Sequence, residues 1–206
     1  MKVVDEQDGR PVAGALVLFH ASAHEGTFTG HGGRQATLFV AETVTDESGE
    51  LSLPRQEFST EPFFLNTNYH NPSMVMFKPG YALVILSNAR RIIAERQDLS
   101  TWEHNNQTIR MRRTATDTDT SCAVRDAAMY AGLTMGGVCP WKTIPRFLLA
   151  VDRSADEWNR RRASVADAAL RRVTASSPLQ QVLMNDAYFV EKGCGSPKAF
   201  FEPHLR

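Results

Sequence analysis

Cysteine is scarce in this chain and confined to its second half. Cys122, Cys139 and Cys194 are the three among 206 residues, and no two form a Cys-x-x-Cys element. That excludes a zinc ribbon and a thioredoxin-type redox pair, both of which need two thiolates converging from one tight turn. Long apolar runs are also missing: no stretch approaches the roughly 20 apolar residues a membrane-spanning helix requires. Charge of one sign is not in excess either. Lys+Arg and Asp+Glu both number 23, divided 11 against 13 over residues 1–113 and 12 against 10 over residues 114–206. A nucleic-acid binder gathers a basic excess on one face to neutralise phosphates, and neither half offers one. The triplet Arg160-Arg161-Arg162 sits among Asp152, Asp156, Glu157 and Asp167, which reads as a solvated helix face.

The metal-binding motifs are absent as well. None of the six His is followed three positions later by Glu, His24-Glu25 lacks the second His of a His-Glu-x-x-His helix, and there is no His-x-His. Zinc-peptidase chemistry, which needs two ligands converging on one metal beside a base, has no carrier here. His20, His24 and His31 remain as weak candidates for a metal site on one loop edge. His20 and His24 share a side only if the strand bearing them continues through both. Gly30-His31-Gly32-Gly33 has the glycine of a phosphate loop without the Lys-Ser/Thr pair or the helix start that would follow.

What is present first is β-sheet chemistry. Val3-Val4-Asp5 leads into Asp8-Gly9-Arg10-Pro11, a turn signal. Residues 13–21 form a strand too apolar for one-sided exposure, so both of its faces are covered in part. Residues 24–34 read as a glycine-rich loop, and 37–45 as a strand closed by Asp46-Glu47-Ser48-Gly49. Further strands are predicted at 74–78, 82–86 and 108–113, with a short helical possibility at 89–96. From Thr114 the character changes: Thr, Asp and Ser are good helix caps and poor interior residues, which predicts a linker over 114–121 and a helix from about Ser121 to Met135. Ile144, Phe147, Leu148, Val151, Ala155, Trp158, Val165, Ala169 and Val173 keep a three-four spacing. This gives one long amphipathic helix, or two broken near Ser154. A last helix is predicted from Pro178 to about Glu191.

Three segments in order resemble the carboxypeptidase regulatory-like (transthyretin-like, prealbumin-like) family: Asp8-Gly9-Arg10-Pro11-Val12-Ala13-Gly14-Ala15, Thr45-Asp46-Glu47-Ser48-Gly49 and Phe77-Lys78-Pro79-Gly80-Tyr81. The resemblance covers about residues 3–113. It implies a seven-stranded antiparallel β-sandwich over 1–113, followed by a helical region over 122–206 docked on it. Members of that family are accessory modules of secreted or cell-envelope proteins, so it also implies a non-catalytic, periplasmic or secreted binding or structural module. Its partner would be a protein or glycan, with no cofactor, no nucleic acid and no membrane span. The chain opens inside a strand with no secretory signal before it, which suggests a trimmed start. A fainter likeness, Pro-Val-x-Gly-Ala followed by His20-Ala21, is to the intradiol ring-cleaving dioxygenases. That alternative would make the chain a non-haem iron enzyme lacking the usual His-x-His ligands.

An oxidising compartment would allow one disulfide and one free thiol. The Cys122–Cys139 pair, joined by a reversal at Gly136-Gly137, is the first expectation, and Cys139–Cys194, stapling the last helix to the first, is the alternative. Cys194 as a nucleophile would need a neighbouring base, and the nearest His in sequence is His204. No catalytic residue is expected.

Overall fold

A computed structural model describes residues 1–25, 34–53, 67–69, 72–87, 102–135 and 139–205. Among the described residues seven strands precede five helices: β1 (Lys2–Asp5), β2 (Leu16–Glu25), β3 (Arg34–Val44), β4 (Thr67–Tyr69), β5 (Ser73–Phe77), β6 (Val84–Ser87) and β7 (Thr108–Met111), then α1 (Asp117–Leu133), α2 (Pro145–Arg161), α3 (Pro178–Met184), α4 (Asp186–Glu191) and α5 (Pro197–Phe201). The expected all-antiparallel seven-stranded sandwich is not what forms. β1 and β7 pair in parallel as a two-stranded sheet, and the other five strands form a separate antiparallel sheet in the order β3-β2-β5-β6, with β4 extending the β5 edge of β2. The fold is a mixed α/β arrangement in three layers.

Strand β2 explains the layering. Leu16 and Leu18 pair with Phe77 and Val75 of β5, so these four side chains share one face. They join Ala127, Phe147, Leu148, Val151 and Leu179 of the helices in one buried core. The intervening Val17 pairs with Met76, on the opposite face, and both pack with Val3, Ile109 and Met111 of the small sheet. A strand apolar on both faces is therefore covered on both, by helices on one side and by the β1–β7 pair on the other. Among the described residues the sheet opposite the helices has two strands, β1 and β7.

Strand ends differ from the sequence reading by a few residues: β2 runs on to Glu25, and β3 begins at Arg34. The possible helix at 89–96 lies outside the described residues. The helical half departs further. α1 starts at Asp117, so most of the expected 114–121 linker is helix. Thr116 and Asp119 form a reciprocal capping box, each side chain accepting the other's backbone N–H. α2 does not break at Ser154, which is buried inside it, and it ends at Arg161 rather than continuing to Val173. Beyond two short 3-10 turns the chain folds back along α2. There Trp158 Nε1 donates to the Val173 carbonyl at 3.0 Å, and Asn159 both donates to and accepts from Ala175, at 2.9 and 3.0 Å. The apolar spacing that continued past Arg161 belongs to this return segment. Val165 and Ala175 close a small core with Val124, Ala155 and Trp158. The last predicted helix divides at Asn185 into α3 and α4.

Candidate functional site

Buried polar groups are where chemistry would be sought first, and the main clusters are committed to holding elements of the fold together. Asp5, 1% exposed, accepts from the Gln7 and Asp8 backbone N–H groups on Oδ1, at 2.8 and 3.4 Å. Its Oδ2 accepts from the Tyr81 hydroxyl at 2.9 Å and from Arg113 Nε at 2.5 Å. Burial works against the charged form. The four donors outweigh it and hold the Asp5 carboxyl down at about 2, while burial and the Asp5 carboxylate push the Tyr81 hydroxyl up. Both oxygens are occupied, so the group has no lone pair in reach of a substrate. It ties the end of β1 to the turn before β6 and to the chain just after β7.

Glu42 on β3 does the same between sheet and helices. Its carboxylate accepts the backbone N–H of Arg146 at 3.1 Å and of Phe147 at 2.9 Å, two of the donors left open at the start of α2, whose own cap residue, Ile144, offers no side-chain acceptor. Burial pushes the Glu42 carboxyl above its ordinary value, against the pull of those N–H groups and of the Arg146 guanidinium. Asp152, buried on α2, accepts from the Ser177 hydroxyl and from Gln180 Nε2, and Ser177 in turn caps α3.

Of the three metal candidates, His20 alone has a described side chain. β2 continues through His24, which meets the backbone condition for placing His20 and His24 on one side. The His24 side chain and all of His31 lie outside the described residues. Among the described residues no three His, Cys, Asp or Glu side chains are close enough to hold one ion.

Cys139 and Cys194 are bonded, S–S 2.08 Å with Cα atoms 5.5 Å apart, and Cys122 is a free, exposed thiol. The Cys122–Cys139 expectation is thereby corrected. Cys122 lies near the start of α1 and Cys139 follows its end, and the helix between Cys122 and Leu133 rises roughly 16 Å. Cys139 would have to run back along that length to meet Cys122, and it pairs with Cys194 instead. The bond instead joins the segment after α1 to the turn between α4 and α5, with Cys194 buried in the helix-side core.

What the described surface offers is apolar exposure on the helical layer. α3 and the C-terminal segment after α5 border a groove floored by Leu183, Met184 and Leu205 and rimmed by Gln180, Lys198 and Glu202. Met184 is 76% exposed, and Phe200 and Tyr188 are also open to solvent. A second groove lies between α1 and the return segment, lined by Arg125, Asp126, Met129, Thr174 and Ser176. Sequence reasoning missed both. One signal existed: α1 buries Val124, Ala127, Ala128 and Ala131, yet it carries Met129 and Leu133 on its other side, more apolar surface than a helix with one covered face requires. No helix among the described residues is long and apolar enough to cross a membrane. The chain matches no protein-family model, no curated protein and no solved structure.

Proposed function

We propose that this protein is a non-catalytic, extracytoplasmic binding module of the carboxypeptidase regulatory-like kind, which engages a partner protein through its helical layer. The observation that carries this reading is the contrast between its interior and its surface. Interior carboxylates Asp5 and Glu42 are consumed by hydrogen bonds between elements of different layers, and Asp152 holds α2 to α3, whereas Met184 and Leu205 are large apolar side chains left open in one groove. Clustered apolar exposure is the usual mark of an interaction face. The Cys139–Cys194 bond supports an oxidising location, since such bonds persist chiefly outside the cytosol.

The test is site-specific photo-cross-linking in the native host. A photoreactive residue at position 184 is expected to give a discrete adduct with one protein, and the same residue at exposed Glu157 on α2 is not. Equal adduct patterns at the two positions, or none at 184, would sink the proposal.

A further inference from the structure

The return segment is a strand without a sheet. Val173 and Ser177 both have extended backbones, with φ −81° and ψ 112° and with φ −106° and ψ 112°. The burial of the side chains between them alternates: Thr174 exposed, Ala175 buried, Ser176 exposed. In an extended chain the N–H and C=O of one residue point to one edge, and those of its neighbours to the other. Here one edge is taken. Asn159 of α2 closes both main-chain groups of Ala175, and Trp158 takes the Val173 carbonyl. The opposite edge carries the N–H and C=O of Thr174 and Ser176, which make no hydrogen bond within the described residues.

That open edge faces the outer side of α1 across the second groove. Arg125, Met129 and Leu133 follow one another at single-turn spacing on α1. Met129 is 52% and Leu133 60% exposed, and neither Arg125 nor Asp126 forms an ion pair among the described residues. Two dimensions coincide. Residues four apart on a helix are separated by about 6 Å along its axis, and alternate side chains of a strand by roughly 6.7 Å. A chain paired with Thr174 and Ser176 and running along α1 would set alternate side chains over Arg125 and Met129, which line the groove, with Leu133 one turn beyond.

We infer that this groove accepts an extended peptide segment of a partner protein, added as a strand to the Thr174–Ser176 edge. The segment carries an acidic side chain over Arg125 and apolar side chains at the next two alternate positions, over Met129 and Leu133. Main-chain bonds supply the pairing, and the helix floor supplies the selectivity. This deepens the binding-module reading and rests on it, but it uses a different face from the Met184 groove.

The experiment titrates the full chain with a synthetic peptide of Ser and Thr that places Glu, Leu and Leu at successive alternate positions. Calorimetry follows the affinity, and residue-resolved amide exchange follows the edge. Saturable binding is expected, with exchange slowing at Thr174 and Ser176 and unchanged at Ala175, whose N–H is already held. N-methylation of one alternate set of peptide amides weakens binding by about tenfold or more, equivalent to losing about 1.4 kcal/mol, and methylation of the other set leaves it intact. Arg125→Glu transfers the preference to a peptide with Lys in place of Glu. Absence of saturable binding, equal sensitivity to both methylation sets, or protection of Thr174 and Ser176 that rises with protein concentration alone would each overturn the inference, the last by showing that a second copy occupies the edge. A discrete adduct from position 184 alongside any of these failures would leave the broader reading standing.

Discussion

The carboxylate of Glu42, on a strand of the larger sheet, accepts the backbone N–H of Phe147 at 2.9 Å, in the first turn of α2. A side chain more than 100 residues away in sequence thus caps the helix whose Phe147 ring packs at 5.9 Å from Phe77 of β5. The contact is polar at its rim and apolar behind it, and the two parts are separable. Glu42→Ala removes the acceptor of two open helix donors and is expected to cost about 1 kcal/mol in urea unfolding. Because burial raises the Glu42 carboxyl, the folded chain holds that proton to higher pH than the unfolded chain does. Ionisation is then a cost that grows as pH rises through the ordinary glutamate range to the raised value. Glu42→Gln keeps one acceptor and does not titrate, so its stability relative to the parent should increase across that window. A constant difference from acid to neutral pH would contradict the assignment.

Phe147 supplies the apolar part. Fully buried between sheet and helices, it is expected to cost about 3–5 kcal/mol when truncated to Ala. Met184→Asp, on the exposed groove, should change stability by less than about 0.5 kcal/mol. Thermal melts of the two variants side by side test whether the helices and the β2–β5 face share one core, because a separately folded appendage would give two transitions.

Asp5 makes the opposite pH prediction from Glu42. Its folded value of about 2 lies below the ordinary 3.8, so its contribution is present above the unfolded value and is lost as pH falls through the folded one. Asp5→Asn should lower the melting temperature at neutral pH and flatten the dependence between about pH 4 and pH 2. Circular dichroism melts over that interval check it, and an unchanged acid limb would refute the Asp5–Tyr81–Arg113 link.

These contacts also mark what sequence could and could not say. The two-sided apolar pattern of β2 required cover on both faces, and both are covered. Asp46-Glu47-Ser48-Gly49 was read as the turn that closes a strand, and it follows β3 with Gly49 at a positive φ. Phe147, Leu148, Val151 and Trp158 were expected to be buried on one helix, and they are. Which layer covers which face was not legible, because an apolar strand face accepts a sheet or a helix equally well. The antiparallel sandwich was expected from the family resemblance and from short strands between turns, neither of which fixes that β1 and β7 pair in parallel. The return segment was invisible for a different reason. Val165 and Val173 continue the period of α2, and only the tertiary bonds of Trp158 and Asn159 show that the chain has turned back. The open edge at Thr174 and Ser176 is a main-chain feature, to which side-chain identity gives no clue.

The disulfide closes a long loop, Cys139 and Cys194 being 55 positions apart in sequence. Restricting an unfolded loop of that length is worth about 4 kcal/mol in the chain-entropy description. Cys139→Ser with Cys194→Ser should lower stability by that order. Thiol titration of the oxidised, denatured protein should find one thiol, Cys122, and reduction should raise the count to three. A single thiol on Cys139 or Cys194 before reduction, or three thiols, would contradict the pairing.

Gly14 and Gly49 offer a paired test of conformation against space. Both have a positive φ, 70° and 74°, so Ala at either position costs about 1 kcal/mol of backbone strain. Their surroundings differ. A Cβ on Gly14 would meet nothing within 4 Å, whereas one on Gly49 would sit 2.3 Å from the Val3 carbonyl oxygen. That oxygen belongs to β1 and already accepts the Val12 N–H, while the Gly49 carbonyl accepts the Val3 N–H at 2.7 Å. Relief of the clash must therefore move the turn away from β1 and break at least one of these bonds. Gly49→Ala is expected to lose at least about 2 kcal/mol more than Gly14→Ala, and slow amide exchange at Val3 should be lost only in the Gly49 variant. Equal destabilisation by the two substitutions would mean that the turn does not press on β1 as closely as its geometry states.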